Sequence, residues 1–382
     1  MKILSILASI YLASCASSFP SNTNYDELPL TIDSTQSSSY EKSIPTKSYD
    51  LHNCLAVGYC DFNNDGREDL LMAWVSGSLE KMPIDMFLQD STGNMVRNVS
   101  LLPIPTPGTV HARKIIIDDF NNDGIIDAFI VDHGYDKPPF PGAKPILLLS
   151  SGMKYSEIEI KGIPTGFQHS ATAADINDDG APDIFVTDTT NGAFLLMNDG
   201  LGKFNITRNG IPTLKAGYFT SEFIDMDNDG YFDLLVGGHE HEGAATYVYW
   251  GDASGRYSEW RSTRIPGDAD YRIVLDFDVE DLDEDGFREL ILTRTKSNPF
   301  YEGYYFQMLK LTKRQFTDIS SKIVPDKRAW EGSKSQWVPF IVLRDFDEDG
   351  DKDMVMPDKS FGLVYINNGK GEFSRKRSGP WE

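Results

Sequence analysis

The sequence predicts an all-β protein built from repeated four-stranded units. Three observations support this: a nine-residue acidic pattern occurs six times, short apolar runs typical of strands follow it, and glycine-rich turns precede the last strand of several units. The copies begin at Asp61, Asp119, Asp175, Asp225, Asp281 and Asp345. Four-stranded units of about fifty residues, repeated radially, make a β-propeller, whose closure protects the sheet edges. We expect six blades over residues 49–382, or seven if residues 36–44 add a strand.

The acidic loop joins the first two strands of each unit, which we name A and B. Residues 70–74 and 128–131 are apolar runs typical of strand B, and residues 145–149 are typical of strand C. A glycine-rich turn such as residues 198–204 then leads into strand D, a sequence pattern that favours a hairpin. Each unit therefore predicts one blade of four strands.

The acidic pattern has the chemistry of a calcium loop. Oxygens at positions 1, 3 and 5 of a tight turn converge on one point, and the glycine at position 6 permits the turn. A backbone carbonyl at position 7 and a bidentate carboxylate at position 9 complete a shell of hard ligands that suits calcium. An EF-hand is excluded because position 12 is apolar in every copy, where that motif needs glutamate. We therefore predict about six structural calcium ions, one in each loop.

The predicted side-chain ligands are the oxygen-bearing residues at positions 1, 3, 5 and 9. They are Asp61, Asn63, Asp65 and Asp69; Asp119, Asn121, Asp123 and Asp127; Asp175, Asn177, Asp179 and Asp183; Asp225, Asp227, Asp229 and Asp233; Asp281, Asp283, Asp285 and Glu289; and Asp345, Asp347, Asp349 and Asp353. The predicted carbonyl ligands at position 7 belong to Arg67, Ile125, Ala181, Tyr231, Phe287 and Asp351. Because six equivalent copies argue for a scaffold, we expect these carboxylates to be structural rather than catalytic.

These repeats resemble the FG-GAP/VCBS family, which is related to the propeller at the head of integrin α chains. The resemblance covers everything after residue 48. It implies calcium in the loops between strands A and B, and a ligand site on the opposite face, formed by the B–C and D–A connections. Glu289 departs from the pattern, since the other copies end in aspartate.

The first residues predict export and a lipid anchor. Residues 1–14 have a basic start and a short apolar run, as in a secretion signal. The run leads to Cys15 in a sequence that resembles the lipobox of bacterial lipoproteins, which implies cleavage just before Cys15 and lipid on its thiol; an ordinary signal peptide is the alternative. The serine-rich stretch from the lipidated Cys15 to residue 48 is typical of a flexible tether. We expect a protein attached to a membrane by lipid in the bacterial cell envelope, at the outer membrane or cell surface.

Charge and composition narrow the function. The chain has 36 basic and 58 acidic side chains, a net charge of −22, which repels nucleic-acid phosphates and excludes a nucleic-acid partner. A hydrophobic content of 40% is enough for a large core, which excludes disorder along the whole chain.

Candidate functional residues lie in the unequal connections on the face that the resemblance assigns to ligands. The catalytic candidates are His133, Asp136, His239 and His241, and the ligand-binding candidates are Tyr135 and Trp330. The two aromatic residues fit stacking on sugar rings and packing between blades equally well. His239 and His241 could bind zinc or copper, but their spacing also fits an ordinary polar loop. His111 and His169 are expected on A strands, as packed residues or facing a central channel.

The sequence favours a calcium-stabilised, lipid-anchored module that binds a protein or a glycan outside the cytoplasm. A carbohydrate-active enzyme, either a lyase or a hydrolase, is the first alternative, with its site on the same connections. The second alternative is a scaffold that assembles another envelope protein. No nucleophile elbow, P-loop or dinucleotide fingerprint occurs in the sequence.

Overall fold

Each acidic repeat forms one antiparallel sheet in the computed structural model, which describes residues 54–214, 216–324, 327–328, 337–347, 349–355 and 363–377. Within these ranges there are six sheets of four or five strands, and each runs in the predicted order A, B, C, D. The all-β fold of six propeller blades is therefore confirmed. The signal at 1–14, the tether at 15–48 with Cys15, the strand proposed at 36–44, and Trp330 lie outside the described residues.

The chain divides into two compact units, and the first holds blades 1 and 2. Blade 1 is the sheet β1-β2-β4-β5, blade 2 is the sheet β7-β8-β9-β10, and β3 pairs with β6 in a small separate sheet. The strands are β1 (Cys54–Cys60), β2 (Asp69–Trp74), β3 (Met82–Pro83), β4 (Asp85–Gln89), β5 (Met95–Arg97), β6 (Gly108–Thr109), β7 (Ala112–Asp118), β8 (Asp127–Asp132), β9 (Ile146–Ser150) and β10 (Tyr155–Ile158).

The second unit holds the sheets of blades 3 to 6, and the C–D turn 199–203 of blade 3 belongs to the first unit. Its strands are β11 (Gln168–Ala174), β12 (Asp183–Asp188), β13 (Phe194–Asn198), β14 (Phe204–Thr207), β15 (Tyr218–Ile224), β16 (Asp233–Gly238), β17 (Tyr247–Tyr249), β18 (Ser262–Arg264), β19 (Ile273–Glu280), β20 (Glu289–Thr295), β21 (Tyr304–Thr312), β22 (Gln315–Asp318), β23 (Ile323–Val324), β24 (Lys327–Arg328), β25 (Val342–Arg344), β26 (Asp353–Val355), β27 (Leu363–Asn367) and β28 (Phe373–Arg377). Short 3₁₀ turns cover Glu240–Glu242, Glu259–Arg261 and Ser320–Lys322.

The B strands form the buried centre of the blades. Every residue of β2, β8, β12, β16 and β20 is buried, which explains why these strands read as continuous apolar runs rather than alternating ones. The register agrees with the repeat, because each B strand begins at position 9 of the preceding acidic loop. The acidic loop therefore closes the A–B hairpin in every blade.

Apolar side chains join neighbouring blades within each unit. In the first unit, Phe62, Ile130 and Leu148 belong to one buried cluster, and the Tyr155 hydroxyl donates to the carbonyls of Phe62 and Ile126 at 3.1 and 2.7 Å. In the second unit, separate clusters join blade 3 to blade 4, blade 4 to blade 5 and blade 5 to blade 6. Within each unit, neighbouring blades thus bury apolar faces against one another, as the repeat architecture requires.

The connection after β22 contributes structure that the sequence did not predict. β23 pairs in parallel with β28 and adds a fifth strand to blade 6, while β24 pairs with β21 in blade 5. Across the residues that the structure describes, no helix has the length and apolar character needed to span a membrane.

Candidate metal loops and binding surface

The first aspartate of each acidic loop folds the turn around its own carboxylate. In all six loops its two oxygens accept hydrogen bonds from the backbone N–H groups of positions 5 and 6, at distances between 2.7 and 3.1 Å. The glycine at position 6 has φ between 83° and 101°, the left-handed region that other residues avoid. Position 6 is therefore glycine because the turn requires it.

The acid at position 9 is the most buried member of each loop. Its exposed fraction is 0% for the five aspartates and 1% for Glu289. In Asp233, one oxygen accepts the N–H of Met226 at 2.9 Å, and the other accepts the N–H of Gly251, beyond strand C, at 2.8 Å. Asp69, Asp127 and Asp353 make the same two kinds of bond. This residue ties the loop to strand C and is structural whether or not a metal is bound.

The donor set of most loops fits calcium. Carboxylate oxygens of Asp225, Asp227 and Asp229 lie within 4.8 Å of one another, as do those of Asp345, Asp347 and Asp353. In loops 3, 4 and 5, the buried oxygens Asp183 Oδ2, Asp227 Oδ1 and Glu289 Oε1 have no hydrogen-bond partner within the described residues. Such an orphaned anionic oxygen is costly unless a cation satisfies it. Loops 1, 2 and 3 have the same backbone bonds around position 1, with asparagine at position 3.

The fifth loop has the same kind of cluster, formed by Asp281, Asp283 and Asp285, but a lysine side chain lies among its acids. Lys310 Nζ lies 2.9 Å from Asp283 Oδ2, 2.6 Å from Asp285 Oδ2 and 3.1 Å from Glu289 Oε1. In the fourth loop, Arg314 also pairs with Asp227 and Asp229, at 2.5 and 2.9 Å, but it leaves the buried oxygen Asp227 Oδ1 without a partner. In loop 5, Lys310 therefore donates hydrogen bonds to two predicted calcium ligands, Asp283 and Asp285, and makes an ion-pair contact with a third, Glu289.

Burial opposes ionisation of the position-9 acids. It raises the pKa of Asp69 and Asp127 to about 6, and that of Asp183 and Asp233 to about 7, against the opposing effect of backbone hydrogen bonds. Burial also raises the pKa of Glu289 and Asp353. A bound divalent cation would favour the ionised carboxylates at neutral pH. The raised pKa values of these acids thus fit loops whose carboxylates are stabilised in the ionised form by a bound cation.

A histidine pair lies at the start of the second blade, beside the B–C connection. The rings of His111 and His133 are 3.9 Å apart, and His133 stacks on Phe167 at 4.4 Å. His133 Nδ1 donates to the carbonyl of Gly134 at 2.8 Å. Burial lowers the pKa of His111 to about 4 and that of His133 to about 2. A general acid or base at neutral pH needs a pKa near 7, so the geometry favours a packing role for His133.

We expect this histidine pair to make stability depend on pH. Because the folded pKa values lie below the ordinary value of 6.5, the unfolded chain binds more protons as the pH falls from 6.5 to about 4. Each histidine then costs up to about 1.4 kcal/mol of unfolding free energy per pH unit. The variant His133→Phe keeps the stacked ring and should show a shallower loss in urea unfolding at pH 7, 6 and 5. Equal slopes in the variant and the parent would contradict the expectation.

Tyr135 and Asp136 lie beside the same pair. A cavity of about 230 Å³ is lined by His111, Tyr135, Asp136 and Lys137, together with Val75, Gly77 and Val110. Ligand atoms of His111, His133 and Asp136 lie within 4.8 Å of one another. The Lys137 ammonium lies 5.7 Å from the centre of the Tyr135 ring. The cavity is smaller than a typical ligand pocket, which measures roughly 300–1,000 Å³.

The second unit contains a larger group of aromatic and histidine rings, which we name the aromatic row. The ring of Phe219 lies 4.0 Å from His169 and stacks on His239 at 4.1 Å. The members of the row are His169, Phe219, His239, His241, Phe300, Tyr301 and Trp337. Its outer end is accessible, since Phe300 is 59% exposed.

Contacts at the outer end of the row bring two B–C connections together. The ring centre of Phe300 lies 5.7 Å from His239 and 4.6 Å from Tyr301, which in turn contacts Trp337 at 5.1 Å. The nitrogens of His239 lie 3.0 Å from Glu242 Oε2 and 3.2 Å from the Tyr301 hydroxyl. Burial lowers the pKa of His239, and its hydrogen bond to the Glu242 carboxylate opposes this. His239 therefore holds neighbouring groups in place.

A buried ion pair anchors the connection that carries His239 and His241. Arg294, with 0% exposure, donates to Glu240 through Nη1 at 2.9 Å and Nη2 at 3.2 Å. The guanidinium also donates to Gln307 Oε1 at 2.7 Å and to the carbonyls of Tyr271 and Pro266 at 3.2 and 3.3 Å. The bonds to Gln307, Tyr271 and Pro266 hold the guanidinium in place, and its two bonds to Glu240 then fix the short turn 240–242 beside the row.

The structure brings together some of the residues that the sequence predicted and adds others. His239 and His241 share the aromatic row, and His133, Tyr135 and Asp136 share the smaller site in the first unit. Sequence reasoning missed Phe219, Phe300, Tyr301 and Trp337 as one group, and it missed the anchor Arg294. The signal for Arg294 was available, since a charged residue that follows the apolar run of a B strand is expected to be buried and must then have a partner.

Comparison with known families supports the repeat assignment. Residues 41–134 and 156–236 match the family model of the FG-GAP-like repeat. These two segments are similar to FG-GAP-like repeats. Among solved structures, the chain is similar to one titled "Crystal structure of BBS1N in complex with ARL6DN, soaked with lead", at 12% identity and a TM-score of 0.41, over 86% of this chain and 93% of that one. Comparison with curated proteins gives no match.

Proposed function

We propose that this FG-GAP-like propeller is a calcium-stabilised, lipid-anchored binding module that acts outside the cytoplasm, in the bacterial cell envelope. Its ligand is a glycan or a protein, and the aromatic row favours a glycan. The observation that carries the proposal is the accessible end of the row, where Phe300 and Trp337 flank Tyr301 and where Glu242 is 55% exposed in its side chain. Ring faces stack on the C–H groups of sugars, and a carboxylate accepts from sugar hydroxyls.

The state of the histidines supports binding over catalysis. His133 and His239, two of the catalytic candidates, are buried rings with lowered pKa values and hydrogen-bonded nitrogens. An enzyme that uses such a ring as acid or base at neutral pH needs a pKa near 7, which burial moves these rings away from. The contacts of these rings favour a role in positioning neighbouring side chains.

Calcium in the loops is part of the same proposal. Loops 1 to 4 and loop 6 would hold the ion through the side chains at positions 1, 3, 5 and 9 and the position-7 carbonyl, as the sequence predicts. When bound, the cation supplies charge compensation for the buried position-9 acids. The proposed contribution is structural, and binding of the ligand occurs elsewhere, at the aromatic row.

The test is a glycan array probed with the full chain in detergent, in calcium and again with a chelator. We expect retention of a defined glycan class, with unchanged glycan masses after incubation. Phe300→Ala and Trp337→Ala should each weaken retention by about tenfold or more, which corresponds to about 1.4 kcal/mol of binding free energy.

The matched control is Trp260→Ala, because Trp260 is 91% exposed and lies in the turn 259–261 between strands C and D. This variant should retain glycans like the parent. Cleaved glycans would instead support the carbohydrate-active enzyme. A chain that neither binds nor cuts any glycan would contradict the glycan proposal and direct the search to protein partners.

A further inference from the structure

We propose that the ammonium group of Lys310 is the built-in cation of the fifth acidic loop and takes the place that calcium would hold there. The inference rests on the proposed function only where it counts calcium ions in the other loops. The fifth repeat thus keeps the acidic loop and uses a side chain in place of an exchangeable ion.

The contacts of Lys310 are those of a central cation. Its Nζ lies within 3.1 Å of carboxylate oxygens from positions 3, 5 and 9, namely Asp283, Asp285 and Glu289. These positions are three of the four predicted side-chain ligands of calcium in every loop. A calcium ion binds such oxygens at about 2.3–2.6 Å, so the two cations would compete for the same oxygens.

The other blades show that this lysine is a specific departure from the repeat. Glu289 at position 9 pairs directly with Lys310 on strand C. Extending the pairing of strands B and C by one residue places an apolar side chain opposite position 9 in each of the other five blades. Those residues are Leu88, Leu149, Met197, Trp250 and Ile366. A hydrophobic side chain at this place leaves the loop's charge for another cation to balance.

A second departure occurs in the same blade. Position 9 is glutamate only here, and Glu289 Oε2 still accepts the N–H of Leu282 at 3.0 Å, as the aspartates do at the same place. Its other oxygen, Oε1, makes an ion-pair contact with Lys310 at 3.1 Å, whereas Asp353 and Asp233 direct that oxygen to a backbone N–H at the end of strand C or just beyond it. The longer acid and the lysine therefore form one paired change.

A further positive charge lies beside the first. Lys322 Nζ is 3.7 Å from Asp283 Oδ2 and donates to the carbonyl of Lys370 at 2.8 Å. Two ammonium groups supply the same charge as one calcium ion, and both would repel a divalent cation that entered the loop. The charge balance of the loop thus supports the assignment of Lys310 as its cation.

The first test counts bound calcium by equilibrium dialysis of the full chain and its variants. Lys310→Met should bind about one more calcium ion per chain than the parent, since its loop regains a conventional donor set. Lys310→Arg keeps the charge and should bind the same number as the parent. A Lys310→Met variant that binds no additional calcium would overturn the inference.

The second test needs no variant. Amine acylation followed by peptide mass spectrometry should label Lys310 slowly, and equally in calcium and in chelator, whereas Lys376, with a side chain 60% exposed, should react quickly. Faster labelling of Lys310 in calcium would show that the ion displaces it and would overturn the inference. A parent chain that binds no calcium would contradict the proposed calcium role. If Lys310 stayed protected in that case, its assignment as the cation of the fifth loop would still be supported.

Discussion

Replacing Arg294 with methionine is expected to lower the free energy of unfolding by about 3–5 kcal/mol, because it leaves Glu240 as a buried carboxylate without its partner. The guanidinium is fully buried and makes two bonds to Glu240 and three to other acceptors. Urea unfolding followed by tryptophan fluorescence measures the loss. Binding at the aromatic row should weaken too, since Glu240 fixes the turn beside His239 and His241.

The double variant Arg294→Met with Glu240→Met distinguishes the effect of an unpaired charge from the effect of changed packing, because it removes both charges and keeps apolar side chains in their place. Removing both charges often costs little in a buried site, so the double variant should be more stable than Arg294→Met alone. Arg264→Met is the surface control, because Arg264 is exposed, and it should change stability by no more than about 0.5 kcal/mol. A single variant as stable as this control would contradict the proposed anchoring role.

The fold could be predicted from sequence because its signals are local. A loop that needs aspartate at position 1, glycine at position 6 and a buried acid at position 9 leaves the same pattern in every repeat. The B strands could be recognised as continuous apolar runs because they are buried on both faces. The additional strands β23 and β24 escaped prediction, since each has only two residues and depends on pairing with a distant strand.

The candidate binding surface was only partly predictable, because its members come from distant parts of the chain. His239 and His241 were found in their B–C connection, but their neighbours Phe300 and Tyr301 lie in the next one, and Trp337 lies after blade 5. Arg294 and Glu240 are 54 residues apart, and the packing of adjacent blades brings them together. The role of Lys310 could not be predicted without the register of strands B and C, because that role depends on Glu289 lying opposite it.

Replacing Asp233 with alanine is expected to cost about 3–5 kcal/mol of unfolding free energy, because two buried N–H groups lose their acceptor at about 1–3 kcal/mol each and the loop loses a proposed metal ligand. The carboxylate has 0% exposure and accepts from Met226 and Gly251 at 2.9 and 2.8 Å. Urea unfolding in calcium and in chelator should show a loss under both conditions.

The two conditions divide this cost between its causes. The loss that remains in chelator belongs to the hydrogen bonds from Met226 and Gly251, and the further loss in calcium belongs to the ion. Asp178→Asn is the matched control: Asp178 is exposed at position 4 with φ of 59°, a conformation that asparagine tolerates well, so stability should hold within about 0.5 kcal/mol. If Asp233→Ala matched this control in both conditions, position 9 could not be the link between loop and strand C. If the losses in calcium and chelator were equal, the fourth loop would owe its stability to hydrogen bonds alone.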